Sequence, residues 1–133
     1  MAADWRDSLD RNQSTLLRVA LAFSLIAISY LAFTPLEIPV ASSLNDKFSH
    51  ILAFLYLGLL WDFCWPESKW SYRKALPMLG YGLFIEVVQA FLPHRFFSLL
   101  DLAADGLGLI LCGLILPWLL RSQWISSLRH QTK

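Results

Sequence analysis

The segment from residue 98 to 112, SLLDLAADGLGLILC, carries two carboxylates, Asp101 and Asp105, inside an otherwise apolar run. A charged side chain at the centre of a bilayer costs roughly 2.5–3.5 kcal/mol on insertion scales, so such residues usually face a bundle interior or a wet cavity. This segment is therefore predicted to form one wall of a helix bundle. Its two acids are expected to face polar partners on neighbouring helices.

Apolar residues dominate the whole chain of 133 residues. Hydrophobic side chains make up 56% of it and aromatic ones 14%, and the mean hydropathy is +0.50. These values exceed what a soluble domain of this size needs, and they predict an all-α membrane protein. A formal net charge of +1 offers no basic footprint for nucleic acid. Cys64 and Cys112 lie in apolar runs without metal-ligand spacing, so both are interpreted as core residues.

Four segments are interpreted as transmembrane helices. They cover residues 19–33, about 45–65, about 75–92 and about 99–120. A cleaved signal peptide is an alternative for the first, but acidic residues before it and a weak cleavage site argue against that reading. The tight connection at 93–98 makes the last two helices antiparallel neighbours. We expect a compact antiparallel four-helix bundle over residues 19–120. A polar segment at 1–18, with the option of a short interfacial helix, precedes it, and a basic cytoplasmic tail at 121–133 follows.

The distribution of Lys and Arg predicts the orientation of these helices. With the N-terminus in the cytoplasm, only Lys47 and Arg95 of the 11 basic residues lie outside. That asymmetry is a strong positive-inside signal. The inner residues are Arg6, Arg11, Arg18, Lys69, Arg73, Lys74, Arg121, Arg129 and Lys133. Both termini are then cytoplasmic, and the loops at 35–47 and 93–98 face outward.

Polar residues gather at the outward ends of three of the predicted helices. Helical spacing of three and four residues places them on faces that can turn toward the bundle. They are Asp46, Lys47 and His50 on the second helix, Glu86 and Gln89 on the third, Arg95 in the following loop, and Ser98, Asp101 and Asp105 on the fourth. Together they predict a polar pocket in the outer third of the bilayer.

Two roles are predicted for the residues of this pocket. The candidate catalytic groups are Glu86, Asp101, Asp105 and His50, which can act as acids or bases. The candidate headgroup-binding residues are Asp46, Lys47, Gln89, Arg95 and Ser98, since donors and positive charge at this depth suit a phosphate or carboxylate. The chain has no HExxH motif and no Gly-x-Ser-x-Gly context. No metal and no cofactor are therefore predicted, and serine hydrolysis is not favoured.

Each of these residues also has a structural explanation. Asp46 can cap a helix, and Lys47 and Arg95 can be ordinary interfacial cations. The acids can pair with such cations to lock the helices together. These readings describe a structural or assembly partner of an envelope complex. A third possibility is a small ion- or proton-coupled transporter that uses the acids as a relay, which would need oligomerisation.

Taken together, DKFSH at 46–50, the pair Glu86 and Gln89, and the pattern Arg95-x-x-Ser98-x-x-Asp101 resemble the VanZ-like family of small bacterial integral membrane proteins. The matching positions are Asp46, Lys47, His50, Glu86, Gln89, Arg95, Ser98, Asp101 and Gly108. Asp105 stands where the family commonly has Asn, and Phe54 where Tyr is frequent. The resemblance implies a role at the cell envelope, and the founding member is associated with low-level teicoplanin resistance.

These observations predict a multi-pass protein of the bacterial cytoplasmic (inner) membrane with an outward-facing polar pocket. The expected ligand is the headgroup of a membrane lipid or of a lipid-linked cell-wall precursor, which the protein binds and, in a catalytic version, processes. A homo-oligomer or a larger envelope complex is compatible with this reading. The sequence predicts neither a particular reaction nor a particular substrate.

Overall fold

The computed structural model describes the backbone of residues 2–35 and 43–130, and it contains no strand within those ranges. Side chains are described for residues 12–35 and 45–127. The helices are α1 (Ala2–Phe33), α2 (Ser43–Cys64), α3 (Tyr72–Gln89), α4 (Leu99–Leu119) and α5 (Gln123–His130). The all-α prediction is confirmed for the described part of the chain. Most of the predicted loop at 35–47 and the last three residues lie outside it.

Three stretches of helix are long and apolar enough to cross a membrane. They are Asn12–Phe33, Asn45–Cys64 and Leu99–Leu119. Helix α3 has 18 residues and carries Arg73, Lys74 and Glu86, so its composition alone does not mark it as a span. The prediction of a membrane protein is therefore supported by three helices. A fourth span and the orientation of the termini stay predictions.

The N-terminal segment differs from its predicted form. Residues 2–18 are not a separate element, because α1 runs without a break for 32 residues. The reason lies in the sequence, since residues 2–33 contain neither Gly nor Pro, the two strongest helix breakers. The helix ends just before Thr34 and Pro35, where proline disfavours helical geometry in the residue that precedes it. Helix α5 occupies residues 123–130 of the predicted tail, whose cytoplasmic location stays a prediction.

The centre of the bundle is the contact between α2 and α4. Gly108 of α4 lies directly against the α2 backbone. A Cβ atom at this position would lie 2.5 Å from the Ile51 carbonyl oxygen and 3.0 Å from the Leu55 nitrogen. Phe54 of α2 and Leu109 of α4 are buried beside this contact. Glycine is therefore required here for the close approach of the two helices.

The face of α4 that was predicted to turn inward is buried. Asp101, Asp105, Gly108 and Cys112 all lie in the interior, whereas Ile110 and Leu114 are exposed on the opposite side. This arrangement places polar residues inside and leaves apolar side chains where lipid would be. The interpretation of the cysteines is confirmed, since Cys64 and Cys112 are both buried and free.

One end of the bundle, where α2 ends and α3 begins, holds an ion pair that the sequence analysis did not single out. We call it the opposite end. The Lys74 ammonium donates to a carboxylate oxygen of Asp62 and to the carbonyl oxygens of Trp65 and Ser68, the latter two at 2.7 Å each. Lys74 and Asp62 are both buried. Lys74 is therefore not an ordinary solvated cation at the membrane surface.

Candidate functional site

The ends of α1 and α3 and the beginnings of α2 and α4 meet at the other extremity of the bundle, which we call the polar end. The Gln89 side chain on α3 donates to the Ala32 carbonyl oxygen on α1 at 3.0 Å. His94, in the loop after α3, lies 3.2 Å from the Phe33 carbonyl oxygen. The predicted gathering of helix ends is therefore present, and α1 joins it.

A pair of side chains, His50 and Asp105, connects α2 to α4 within the polar end. The His50 Nδ1 atom lies 2.8 Å from an oxygen of Asp105, whose side chain is 1% exposed. Gly82 of α3 makes room for this carboxylate, because a Cβ atom there would lie 2.5 Å from the other Asp105 oxygen. A buried carboxylate that accepts a hydrogen bond from Nδ1 fixes the orientation of the imidazole ring.

A second connection between α2 and α4 lies one turn closer to the helix end. The Lys47 ammonium lies 3.4 Å from an oxygen of Asp101. The Asp101 backbone nitrogen in turn donates to the Ser98 hydroxyl oxygen at 3.2 Å, so Ser98 is the N-cap of α4. Ser98 was predicted to bind a headgroup, but its hydroxyl is already engaged in this cap.

Glu86 occupies the most enclosed position of the candidate residues. Its side chain is fully buried, and its Oε2 atom accepts a hydrogen bond of 2.8 Å from the Ser98 backbone nitrogen. Its Oε1 atom is also buried and has no hydrogen-bond partner among the described residues. Buried polar atoms without a partner are rare in native proteins, and each one calls for an explanation.

A cavity of about 280 Å³ opens among these helices. Six of its lining residues are polar and six are apolar. The polar residues are Asp46, Ser49, His50, Gln89, Arg95 and Asp105, and the apolar ones are Ile28, Leu31, Ala32, Ala53, Phe54 and Ile85. The volume lies near the lower limit of small-molecule sites, so the cavity has room for a headgroup rather than for a whole lipid.

Five of the nine predicted site residues line this cavity, namely Asp46, His50, Gln89, Arg95 and Asp105. The other four, Lys47, Glu86, Ser98 and Asp101, lie behind it in contacts between and within helices. The predicted grouping is therefore present as geometry. The catalytic and headgroup-binding roles stay predictions.

Three residues bring possible metal ligands together. One ligand atom each of Asp46, His50 and Asp101 lies within 4.8 Å of the others. The sequence contains no metal motif for these residues, because a group drawn from two separate helices has no characteristic spacing along the chain. Only the i, i+4 relation of Asp46 and His50 was visible in the sequence.

The contribution of α1 to the cavity was not predicted from the sequence. Ile28, Leu31 and Ala32 form a wall of the cavity, and Ser29 lies 2.9 Å from the Tyr81 hydroxyl, which itself donates to the Leu25 carbonyl oxygen. No residue type marks these positions in the sequence. In the sequence, these positions are distinguished only by lying near the end of an apolar helix.

Comparisons with known proteins agree with the motifs of the site. A family model described as VanZ/LLP1 matches residues 3–121, which include every residue of the cavity. The chain belongs to the VanZ/LLP1 family. A curated relative, "Uncharacterized protein C11E3.10" of Schizosaccharomyces pombe, is 35% identical over 114 residues. The match covers 80% of this chain and 65% of the relative, so the chain spans less than two thirds of the relative's length. No solved structure matches the chain.

Proposed function

We propose that this VanZ/LLP1 protein binds the anionic headgroup of a membrane lipid in the cavity at its polar end. The observation that carries the proposal is the environment of Arg95. This residue lines the cavity, and its guanidinium forms no ion pair or hydrogen bond with another described residue. An unpaired guanidinium in a partly enclosed site binds phosphate or carboxylate well, because it offers two parallel N–H donors.

The two-part lining of the cavity supports an amphipathic ligand. Gln89 and Arg95 provide donors on one side, while Ile28, Leu31 and Ile85 provide apolar surface on the other. A lipid has the same division, with a polar headgroup beside acyl chains. In this arrangement the headgroup occupies the cavity and the chains leave it along α1, whose outer face is apolar and exposed.

The identity of the relative helps to choose between the two ligand classes predicted from the sequence. A similar protein in a fission yeast indicates that such sequences are not confined to bacteria. A glycerophospholipid is common to the membranes of bacteria and yeasts, whereas a lipid-linked cell-wall precursor is a narrower choice. The proposal therefore names a phospholipid headgroup first.

The proposal extends to orientation. In it, α3 is a fourth span, the protein is a multi-pass component of the bacterial cytoplasmic membrane, and the polar end faces outward. The distribution of Lys and Arg supports this orientation, because it assigns only two of the 11 basic residues, Lys47 and Arg95, to the outer side of the membrane. Glycopeptide resistance, which the VanZ resemblance suggests, would be a consequence of changed lipid composition at that face.

If the bound lipid is processed, His50 is the proposed general base. Its ring lines the cavity, and Asp105 holds it by the hydrogen bond to Nδ1. A positioned imidazole of this kind abstracts a proton from water or from a substrate hydroxyl. Ser49 also lines the cavity, but its hydroxyl donates to the Asn45 carbonyl oxygen at 2.8 Å and is not placed as a nucleophile.

Lipid retention tests the binding proposal. The full-length protein is purified from its membrane in a mild detergent, and the phospholipids retained after washing in that detergent are quantified by mass spectrometry. Replacing Arg95 with Ala is expected to weaken retention of anionic phospholipid by about tenfold or more, since a hydrogen bond to a charged group contributes about 1.5–3 kcal/mol. Arg121→Ala removes an exposed Arg at the opposite end and serves as the matched control. Equal retention by both variants would refute the proposal.

A purely structural role is the second candidate, and the position of Glu86, Ser98 and Asp101 favours it. These residues do not line the cavity and are engaged in contacts that connect α2, α3 and α4. In this reading the protein is an assembly partner in a larger envelope complex. It predicts that Arg95→Ala leaves lipid retention unchanged, while Asp101→Asn lowers the yield of folded protein.

A further inference from the structure

We infer that Asp46, His50 and Asp101 form a binding site for one divalent metal ion, of the Mn²⁺ or Zn²⁺ type, at the edge of the cavity, which Asp46 and His50 line and behind which Asp101 lies. Asp46 and His50 lie on successive turns of α2, and Asp101 lies in the first turn of α4. One possible ligand atom from each of the three lies within 4.8 Å of the other two. The site therefore depends on the packing of two helices.

The donor set selects the type of ion. Two carboxylates and one imidazole combine the oxygen ligands that Mn²⁺ accepts with the nitrogen ligand that suits Zn²⁺. At metal–ligand distances of about 2.0–2.2 Å, neighbouring donors would lie roughly 3.4 Å apart. Binding would therefore draw the three side chains together. Asp46 and His50 are only partly buried, which leaves their side chains room for this movement.

The second shell of a metal site is already in place around His50. Histidine ligands usually donate their other ring N–H to a carboxylate, which orients the ring. Asp105 provides such a carboxylate, because its oxygen lies 2.8 Å from Nδ1 of His50. The remaining nitrogen, Nε2, is then the ligand atom, and a role of His50 as general base belongs to the metal-free protein. In this interpretation Asp105 is a positioning residue and does not contact the ion.

An independent observation points to a missing positive charge. The Oε1 atom of Glu86 is buried and has no partner among the described residues. The Glu86 carboxylate is close enough to interact electrostatically with His50, Asp101 and Asp105. The polar end thus gathers four acids, of which Asp101 is paired with Lys47 and Asp105 with His50, so Asp46 and Glu86 have no cation partner among the described residues. A bound cation would compensate this excess of negative charge.

The proposed site has open coordination positions. Three protein ligands leave at least one position for water or for a ligand, as in catalytic metal sites. Asp46 and His50 line the same cavity as Arg95. An anionic group in the cavity would therefore be held by the ion on one side and by the guanidinium on the other. The metal site itself does not depend on the identity of that group.

Metal binding by the full-length protein tests the inference without any lipid assay. Protein in detergent is stripped with a chelator and titrated with Mn²⁺, and the free ion is followed by electron paramagnetic resonance. Zinc retained after equilibration and desalting is measured by inductively coupled plasma mass spectrometry. We expect one ion per chain, and an affinity lowered at least tenfold by Asp46→Asn and by Asp101→Asn.

Two further variants make the test specific. Glu67→Gln removes an exposed acid at the opposite end and is expected to bind as the wild type does. Asp105→Asn is expected to weaken binding by about 10–100-fold without changing the stoichiometry, as removal of a second-shell partner typically does. Asp46 is only partly buried, so Asp46→Asn is expected to leave the fold intact. This variant therefore still tests the site if Asp101→Asn fails to fold. Absent or substoichiometric binding, or equal binding by Asp46→Asn and Glu67→Gln, would overturn the inference.

Discussion

At the opposite end of the bundle, the Lys74 ammonium has an acceptor for each of its three N–H groups, whereas at the polar end Glu86 keeps a carboxylate oxygen with no partner among the described residues. Both groups are buried. The ends also differ in access, because the described cavity opens at the polar end and is lined there by Arg95 and Asp105. Buried charge is thus fully paired at one end and incompletely paired at the other.

The difference indicates which charges brace the fold and which are available to a ligand. A buried ion pair with complete hydrogen bonding stabilises the native contact between helices, and removing one partner is costly. An unpaired buried polar atom costs about 1–3 kcal/mol. Such a cost is tolerated where an incoming group provides the missing interaction. The polar end therefore has the features of a binding site, and the opposite end those of a structural clamp.

The largest effect is expected from breaking the clamp. Lys74→Met removes the ammonium and leaves the buried Asp62 carboxylate without that partner, which is expected to lower the free energy of unfolding by about 3–5 kcal/mol. Thermal unfolding in detergent, followed by circular dichroism, measures the loss. The double variant Lys74→Met, Asp62→Leu is expected to recover most of it.

Lys69→Met provides the control for the clamp, since Lys69 is exposed in the connection between α2 and α3. It is expected to change the free energy of unfolding by less than about 0.5 kcal/mol, as surface substitutions usually do. If Lys74→Met were no more damaging than Lys69→Met, the distinction between the two ends would be lost.

An intermediate effect is expected at a glycine of α4 that lies against a neighbouring segment, and two other glycines provide the comparison. Gly108 faces the α2 backbone, which cannot move aside, whereas Gly113 faces the side chain of Trp70, which can shift. Gly108→Ala is therefore expected to cost about 1–3 kcal/mol of stability, as overpacking does, and Gly113→Ala less. Gly80 has no atom within 4 Å of an added Cβ, so Gly80→Ala is expected to be neutral or slightly stabilising.

Chemical denaturation in a fixed detergent measures all three glycine variants on one scale. The expected order of destabilisation is Gly108→Ala, then Gly113→Ala, then Gly80→Ala. A loss at Gly113 equal to that at Gly108 would mean that the Trp70 side chain moves aside no more easily than the α2 backbone.

Among the buried charged residues of the two ends, the smallest effect on stability is expected at Glu86. Glu86→Gln retains an acceptor for the Ser98 backbone nitrogen and removes a buried carboxylate that has one unpartnered oxygen. The free energy of unfolding is therefore expected to change by less than about 1.5 kcal/mol or to rise, since the substitution is nearly isosteric. A loss as large as that of Lys74→Met would show that Glu86 also serves as a clamp.

Much of the fold could be predicted from the sequence because its signals are local. The apolar runs and the Pro and Gly positions located α2, α3 and α4 to within a few residues, and the 3, 4, 3, 4 spacing from Ser98 to Cys112 predicted the buried face of α4. The continuous α1 was missed because the polarity of residues 2–18 was read as an end of the helix. Polar residues indicate where a helix leaves the membrane, but the helix can continue beyond that point.

The candidate site was predicted as a group of residues but not as a set of contacts. The pairing of His50 with Asp105 and of Lys47 with Asp101 depends on how α2 and α4 are rotated about their axes. Charge alone would equally allow His50 to pair with Glu86. The clamp between Asp62 and Lys74 was missed because the predicted third helix began only after Lys74 and left it in a basic loop, where a solvated side chain is the usual expectation, whereas the structure has it in the first turn of α3.

The sequence by itself determined that this is a helical membrane protein of the VanZ/LLP1 family whose polar residues gather at helix ends, because hydropathy, helical periodicity and motif spacing are all written along the chain. Only the tertiary structure decided which of those residues open onto the cavity and which lie behind it. That choice depends on ångström-scale approaches between helices at Gly82 and Gly108. A contact of this kind is set by two segments at once, and neither segment specifies it alone.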